Sequence, residues 1–294
     1  MGEIFRHSNH ESLNILKKCP TGNLVYQLDE TVKLLPYECQ EEMLKKFSII
    51  IPAYNEEERI YPVLEEISNF INSNLLPWEV IVAIDGDDDT YELVCSFNKN
   101  FNFVKSNRSK QRDGMGGAIR RAILQSEGEY IILMDADGSA KLSSLLNGIK
   151  FLKNYDIINF NRYSLKENSI PFKRWLSSRI FNFLLKGIFG TNIADTQCGY
   201  KMMRKSAIIP ILRKITVSNA FFLSAIFIYS KQLRISTIEL PIKYEHSDGS
   251  KFNVFMTGIS YLVSITAFKI RNSSLFGYTP KSIRNIYYDK LRYL

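Results

Sequence analysis

Apolar and polar positions fall in alternating blocks along the chain, and the blocks predict strands and helices in turn. Phe47-Ser48-Ile49-Ile50-Ile51-Pro52 reads as a β-strand closed by proline. From Glu56 to Asn72 the apolar residues Ile60, Val63, Leu64, Ile67 and Ile71 recur at the period of a helix with one buried face. Val80 to Ile84 predicts a second strand, Thr90 to Phe97 a helix, and Asn102 to Ser106 a third strand. Gly116 to Ser126 fits a helix behind a glycine-rich loop, and Glu129 to Met134 is a fourth apolar strand. Continuous apolar runs of this length suit parallel strands covered on both faces. Their alternation with helices predicts an α/β fold with a doubly wound, mostly parallel sheet and right-handed crossovers. The rhythm breaks after about residue 165. There Trp175 to Phe189 begins a helix rich in aromatic residues, with Arg179 and Lys186 interspersed, the composition of a helix that lies on a membrane surface or packs as a core or dimer helix. Residues 1 to about 45 are polar and mixed, with a short helix expected around Ser12 to Lys18 and no recognisable chemistry.

The candidate chemistry lies where the strands end. Tyr130-Ile131-Ile132-Leu133-Met134 stops on Asp135-Ala136-Asp137-Gly138, two carboxylates astride one residue. Open α/β sheets bind ligands beyond the carboxyl ends of their strands, so Asp135 and Asp137 are placed to share one cation. Mg²⁺ and Mn²⁺ take carboxylate oxygens together with substrate phosphates. Pro52-Ala53-Tyr54-Asn55-Glu56-Glu57 leaves strand one, and Asp85-Gly86-Asp87-Asp88-Asp89 leaves strand two, at the same edge. Glu56, Asp85, Asp135 and Asp137 are therefore expected to converge. Between them, Gly114-Met115-Gly116-Gly117 starts a helix whose backbone N–H groups suit a phosphate or ribose oxygen. This is not a Walker loop, since no G-K-[ST] follows, and not the dinucleotide fingerprint, since the glycines do not follow strand one.

Composition narrows the partners. Formal net charge is +8 over 294 residues, with a pI near 9.1, which suits a nucleotide, a phospholipid surface or a nucleic acid. No nucleic-acid-binding signature accompanies the charge, so that class is set aside. Cys19, Cys39, Cys95 and Cys198 have no C-x-x-C spacing, and His7, His10 and His246 are the only histidines, which excludes an ordinary zinc site. Residues 1–18 lack the apolar region of a signal peptide. No segment reaches the about 18 apolar residues a spanning helix needs, so the chain is expected to lie on a membrane rather than cross it.

The series IIIPAYNEEERI, VIVAIDG, GMGGAIR, MDADGSAK and ADTQCGYKMMR resembles the family 2 glycosyltransferases of GT-A fold, and among them the polyprenyl-phosphate (dolichyl-phosphate) glucose and mannose synthases. The resemblance spans roughly residues 47 to 270. It implies an N-terminal extension at 1–45, a GT-A domain at 46–250 and an amphipathic, membrane-surface segment at 251–294. It implies a nucleotide site at Pro52, Tyr54, Asn55, Glu56 and Asp85, to which the glycine-rich start adds Gly114 and Gly116. It implies Mg²⁺ or Mn²⁺ on Asp135 and Asp137 with Ser139 as a further ligand. Catalysis falls to these two acids with Asp195 and Gln197, and the acceptor phosphate to Arg162, Arg174, Arg179 and the Ser250-Lys251 loop. The activity implied is inverting transfer of a hexose to a polyprenyl or dolichyl phosphate at the cytoplasmic face of a membrane, for protein glycosylation. UDP-glucose is the first donor and GDP-mannose the second.

Three positions depart from the pattern. Relatives read VDDGS where this chain has Ala83-Ile84-Asp85-Gly86-Asp87, and lysine in G-K-G where it has Met115. They read F-D-x-E where it has Phe221-Phe222-Leu223-Ser224, so Phe222 and Ser224 replace both acids. That last departure raises the alternative of a catalytically impaired protein that binds a nucleotide sugar.

Overall fold

A computed structural model describes Gln40, residues 42–245, residues 254–273 and Pro280. Seven strands form one sheet: β1 Phe47–Ala53, β2 Glu79–Ile84, β3 Val104–Arg108, β4 Tyr130–Leu133, β5 Ile157–Asn161, β6 Lys201–Arg204 and β7 Thr237–Pro241. Eight α-helices accompany them among the described residues: α1 Ile60–Ser73, α2 Thr90–Asn100, α3 Met115–Gln125, α4 Leu142–Leu146, α5 Phe172–Phe189, α6 Lys205–Lys214, α7 Phe222–Gln232 and α8 Val254–Arg271. The strand order is β3-β2-β1-β4-β6-β5-β7. The first four strands are the parallel set that the apolar runs predict, with Ala53 beside Ile84 and Ile50 beside Leu133.

Alternate residues of the central strands face two separate cores. Ile49, Ile51, Val80, Val82 and Ile132 point to one, with α1 supplying Ile60, Leu64 and Ile67. Ile50, Ile81, Ala83, Ile131 and Leu133 point to the other, with α3 supplying Ile119 and Ile123 and α7 supplying Phe222 and Ile226. Each such Ile, Leu, Val or Phe side chain contributes roughly 1.5–3 kcal/mol by burial, so the middle of the sheet carries much of the packing energy.

The antiparallel strand β6 matters most for the site. It runs opposite to β4 and β5, with Leu133 and Asn159 both beside Lys201. Its first residue therefore lies at the edge where β1, β2, β4 and β5 end. The segment 195–200 feeds into that edge from outside, and Arg162, just past β5, leaves from it.

Helix α5 starts at Phe172 rather than Trp175 and presents two unlike faces. Phe181 and Leu185 are buried in the second core, whereas Phe172, Leu176, Ile180 and Phe183 are exposed, Phe183 to 75 %. Helix α8 packs on α5. Its Phe268 meets the rings of Phe189, Phe221 and Tyr229 at 5.2–5.7 Å, while Leu262 and Ile270 face outward. The carboxyl half of α8 is thus part of the globular core. No helix of the described residues is long and apolar enough to cross a membrane.

Candidate active site

The carboxylate pair sits on a braced turn at the end of β4. Gly138 takes φ +69°, a left-handed conformation that glycine adopts without a Cβ penalty. The turn brings Ser139 N back to donate to Asp137 Oδ1 at 3.0 Å. Ala140 N donates to the buried Tyr200 hydroxyl at 2.9 Å, and Glu245 N to Ser139 O at 2.8 Å. Burial, then the charge of Asp137, pushes Asp135 up to about 6, against the opposing fields of Arg162, Lys201 and Arg174. Burial also raises Glu56; Arg59 opposes the shift and the charge of Asp137 adds to it. A bound cation would relieve this repulsion.

Whether these residues fit a divalent ion can be judged from their free valences. Among the described residues no three His, Cys, Asp or Glu side chains are grouped to hold a metal. The protein offers two carboxylates, and beside them the buried Ser139 Oγ has no hydrogen-bond partner. Such an orphan is rare in a folded interior. Two carboxylates and one unengaged hydroxyl form the partial oxygen set that suits an ion completing its shell with substrate phosphates and water. The residues fit the group.

The nucleotide-side residues gather at the neighbouring strand ends, in an arrangement partly different from the one expected. Asn55 holds φ 55°, and its Oδ1 accepts from Asp87 N at 3.0 Å, tying the first loop to the second. Pro52 lies within β1, beside Ala83 of β2. The Tyr54 ring is half exposed and stacks under the Arg112 guanidinium, 4.4 Å from the ring centre. Asp85 accepts from Asp113 N at 2.6 Å and from Gly114 N at 2.8 Å. Gly116 N and Gly117 N donate to Ser218 O at 2.7 and 3.3 Å. The amides that the sequence offers to a phosphate are therefore engaged inside the protein. Gly114 and Gly116 tie the helix start to Asp85 and to Ser218. The open pocket of about 570 Å³ lies beside them, lined by Asp85, Tyr91, Arg108, Lys110 and Arg112. Three cations and one half-buried aromatic side chain, Tyr91, stand at its wall beside Asp85 and Asp87, and guanidinium groups of this kind suit an anionic nucleotide.

The residues expected on the acceptor side separate into two groups. Arg162 and Asp195 are both buried and pair with each other, Nε to Oδ2 at 2.9 Å and Nη2 to Oδ1 at 2.8 Å. Arg162 N adds a third bond to Oδ2 at 3.2 Å. Glu239 accepts from Asp195 N at 2.9 Å and from Asn159 Nδ2 at 2.9 Å, so the pair is held from beneath. Arg174 and Arg179 instead lie half exposed on α5. Arg179 stands over the rings of Tyr163 and Trp175 at 5.5 and 5.8 Å, and the field of Arg174 reaches Asp135. Gln197 Nε2 donates to Ser224 Oγ at 2.6 Å, and Ser224 Oγ lies 2.7 Å from Thr196 Oγ1, which donates to Asn182 Oδ1. Ser224 is thus a satisfied member of a buried polar chain, and Phe222 is core beneath Gly116. Ser250 and Lys251 lie outside the described residues.

Sequence reading did not single out Tyr200, Lys201, Glu239, Asn159 or Asn182. Tyr200, Glu239, Asn159 and Asn182 act through partners 14 or more residues away, and Lys201 through the carbonyls of the turn just before it. A polar residue inside an apolar helix (Asn182) and a lysine opening a buried strand (Lys201) were the available signals.

A seven-stranded sheet with convergent acids, a basic pocket and a braced carboxylate pair at its edge defines a GT-A type α/β fold. The chain matches Glycosyl transferase family 2 over residues 48–212, and it belongs to that family. It is 29% identical over 245 residues to the dolichyl-phosphate beta-glucosyltransferase of Dictyostelium discoideum, covering 76% of this chain and 74% of the relative. It is also 29% identical over 238 residues to the dolichyl-phosphate beta-glucosyltransferase of Saccharomyces cerevisiae, covering 72% and 70%. Among solved structures it shares its fold with glucosyl-3-phosphoglycerate synthase from Mycobacterium tuberculosis in complex with Mn²⁺, UDP and glucosyl-3-phosphoglycerate. There the TM-score is 0.55 at 15% identity, over 75% of this chain and 79% of that one.

Proposed function

We propose that this glycosyltransferase transfers glucose from UDP-glucose to a polyprenyl or dolichyl phosphate at a membrane surface, forming a β-linked lipid phosphosugar. The observation that carries the reading is the Asp135–Asp137 pair with the orphan Ser139 hydroxyl, at the sheet edge where a basic pocket opens beside Asp85 and where the field of Arg174 on α5 reaches Asp135. The names of the two dolichyl-phosphate beta-glucosyltransferases support the sugar and the acceptor.

The residues divide the work as follows. Tyr54, Arg112 and the pocket beside Asp85 hold the nucleoside, and Asp85 fixes the loop that forms the pocket wall. Asp135, Asp137 and Ser139 would hold Mg²⁺ or Mn²⁺, which when bound neutralises the charge that develops on the departing diphosphate. Arg174 and Arg179 orient the acceptor phosphate, since guanidinium forks bind phosphate oxygens in two-point geometry. A phosphate monoester is already ionised near pH 7, so its oxygen needs no strong base and the acids absent at Phe222 and Ser224 are not required for proton removal. The acceptor oxygen bonds to the anomeric carbon as the bond from that carbon to UDP breaks, and attack from the face opposite UDP gives the β product. The Arg162–Asp195 pair shapes the floor between donor and acceptor, and Gln197 lies on the same turn.

The exposed face of α5 supports the membrane part of the reading. Phe172, Leu176, Ile180 and Phe183 project beside Lys173 and Lys186, as in helices that bury one apolar face among anionic headgroups. A largely apolar pocket of about 500 Å³, lined by Ile180, Phe183 and Ile193 with Arg179 and Lys186, opens beside it and would take an isoprenoid chain. The double substitution Ile180→Glu/Phe183→Glu should release the folded protein from anionic vesicles in a flotation assay. Phe181→Glu would unfold it, because Phe181 is core. Undiminished flotation of the folded double variant would refute the α5 surface. The transfer reaction itself is tested by turnover of UDP-glucose into an organic-soluble lipid phosphosugar.

A further inference from the structure

Lys201 is a wholly buried ammonium to which the chemistry above gives no task. A buried cation is costly unless its donors are satisfied, and here the partners are backbone carbonyls: Thr196 O at 3.3 Å and Cys198 O, in a close contact. Its Nζ also lies 5.2 Å from the centre of the Phe227 ring. Burial pushes its pKa down to about 8. Lys201 opens β6 directly opposite Leu133, the last residue of β4, so it stands beside the strand end from which Asp135 departs.

The turn that Lys201 closes is in direct contact with Asp135. Gly199 lies against Asp135 so tightly that a Cβ there would overlap both carboxylate oxygens. The next residue, Tyr200, holds Ala140 beside Ser139. One turn therefore backs both ends of the segment that carries Asp135, Asp137 and Ser139.

We propose that Lys201 is a positioning residue for the metal–diphosphate site: by holding the Thr196 and Cys198 carbonyls it fixes the 196–200 turn, and through Gly199 it fixes the Asp135 carboxylate. The role rests on the reading of Asp135 and Asp137 as metal ligands. Groups that orient a ligating carboxylate typically change metal affinity about 10–100-fold when removed.

The test compares wild type, Lys201→Met and Lys201→Gln. Methionine keeps the length and burial without donors; glutamine keeps donors without charge. Mn²⁺ binding in the presence of UDP is followed by electron paramagnetic resonance, beside thermal melting and steady-state kinetics. Lys201→Met should stay folded yet bind Mn²⁺ at least about tenfold more weakly, with kcat lowered and the acceptor KM unchanged. Lys201→Gln should recover part of the affinity. If Lys201→Met does not fold, the glutamine variant decides by the same comparison, with weaker Mn²⁺ binding expected. A folded variant with wild-type Mn²⁺ affinity would overturn the role of Lys201 alone. Failure of the wild type to bind Mn²⁺ with UDP would overturn the metal reading and this role with it.

Discussion

Asp137→Ala should lower transfer by about three orders of magnitude or more while leaving the melting temperature within a few degrees of wild type. The carboxylate lies at the rim of the sheet, half-buried and in neither hydrophobic core, and accepts a local bond from Ser139 N, so truncation opens no cavity in either core. Its loss would leave Asp135 and Ser139 to hold the cation. A metal that stabilises leaving-group charge contributes several kcal/mol to the transition state, and about 4 kcal/mol corresponds to a factor of about 1,000 in rate. EDTA should act in the same way and reversibly, with Mn²⁺ or Mg²⁺ restoring the rate. Radiolabelled sugar transfer measured with purified protein reads both effects, and full activity after chelation would remove the metal from the mechanism.

Arg162→Ala should act on stability first. The side chain is buried and makes a two-point pair with the fully buried Asp195. Removing one partner strands the other charge, at a cost of roughly 3–5 kcal/mol. In a domain of this size the melting temperature should fall by roughly 6–20 °C. Arg174→Ala, on the half-exposed side of α5, should leave melting unchanged. It should weaken apparent acceptor affinity by about 1.5–3 kcal/mol if a charge-assisted bond to phosphate is lost, a factor of about 10–100 in the acceptor KM. Melting curves together with kinetics that vary the acceptor alone separate the two. A stable Arg162→Ala with a raised acceptor KM would instead place that guanidinium on the phosphate.

The contrast between these arginines shows where sequence reading reaches its physical limit. The strands at 47–53, 79–84 and 130–133 were legible because both faces are covered, which leaves uninterrupted apolar runs, and the edge shared by Glu56, Asp85 and Asp135 followed from their being parallel. Strands β5, β6 and β7 were not legible. They are four or five residues long and carry Asn159, Lys201 and Glu239, polar residues whose burial depends on partners elsewhere in the chain. Arg162 reads like any phosphate-binding arginine until Asp195 is seen beneath it. The glycine-rich start reads like an open anion site until Asp85 and Ser218 are found on its amides. In α5 the run of aromatic residues read as a membrane-surface helix or as a core or dimer helix, and could not separate Phe181, which is core, from Phe183, which is exposed. Helical rotation relative to the sheet decides that, and local sequence does not carry it.

The same limit applies to Phe222 and Ser224. Read against the family pattern they suggest a damaged site, yet Ser224 completes a hydrogen-bonded chain from Gln197 to Asn182 and Phe222 packs beneath the glycine-rich start. Ser224 is thereby satisfied within the protein, and the turn at 195–200 stays braced without either acid.

The central claim is best tested by incubating the purified protein with Mn²⁺, vesicles containing polyprenyl phosphate, and UDP-glucose or GDP-mannose in turn, and reading the organic phase by mass spectrometry. A hexosyl phosphate lipid should form from UDP-glucose, require the metal and be lost in Asp137→Ala. Formation of the product from GDP-mannose alone would contradict the choice of donor. Absence of any product from both donors, with the protein folded and bound to the vesicles, would contradict the assignment of a transferase acting on lipid phosphate.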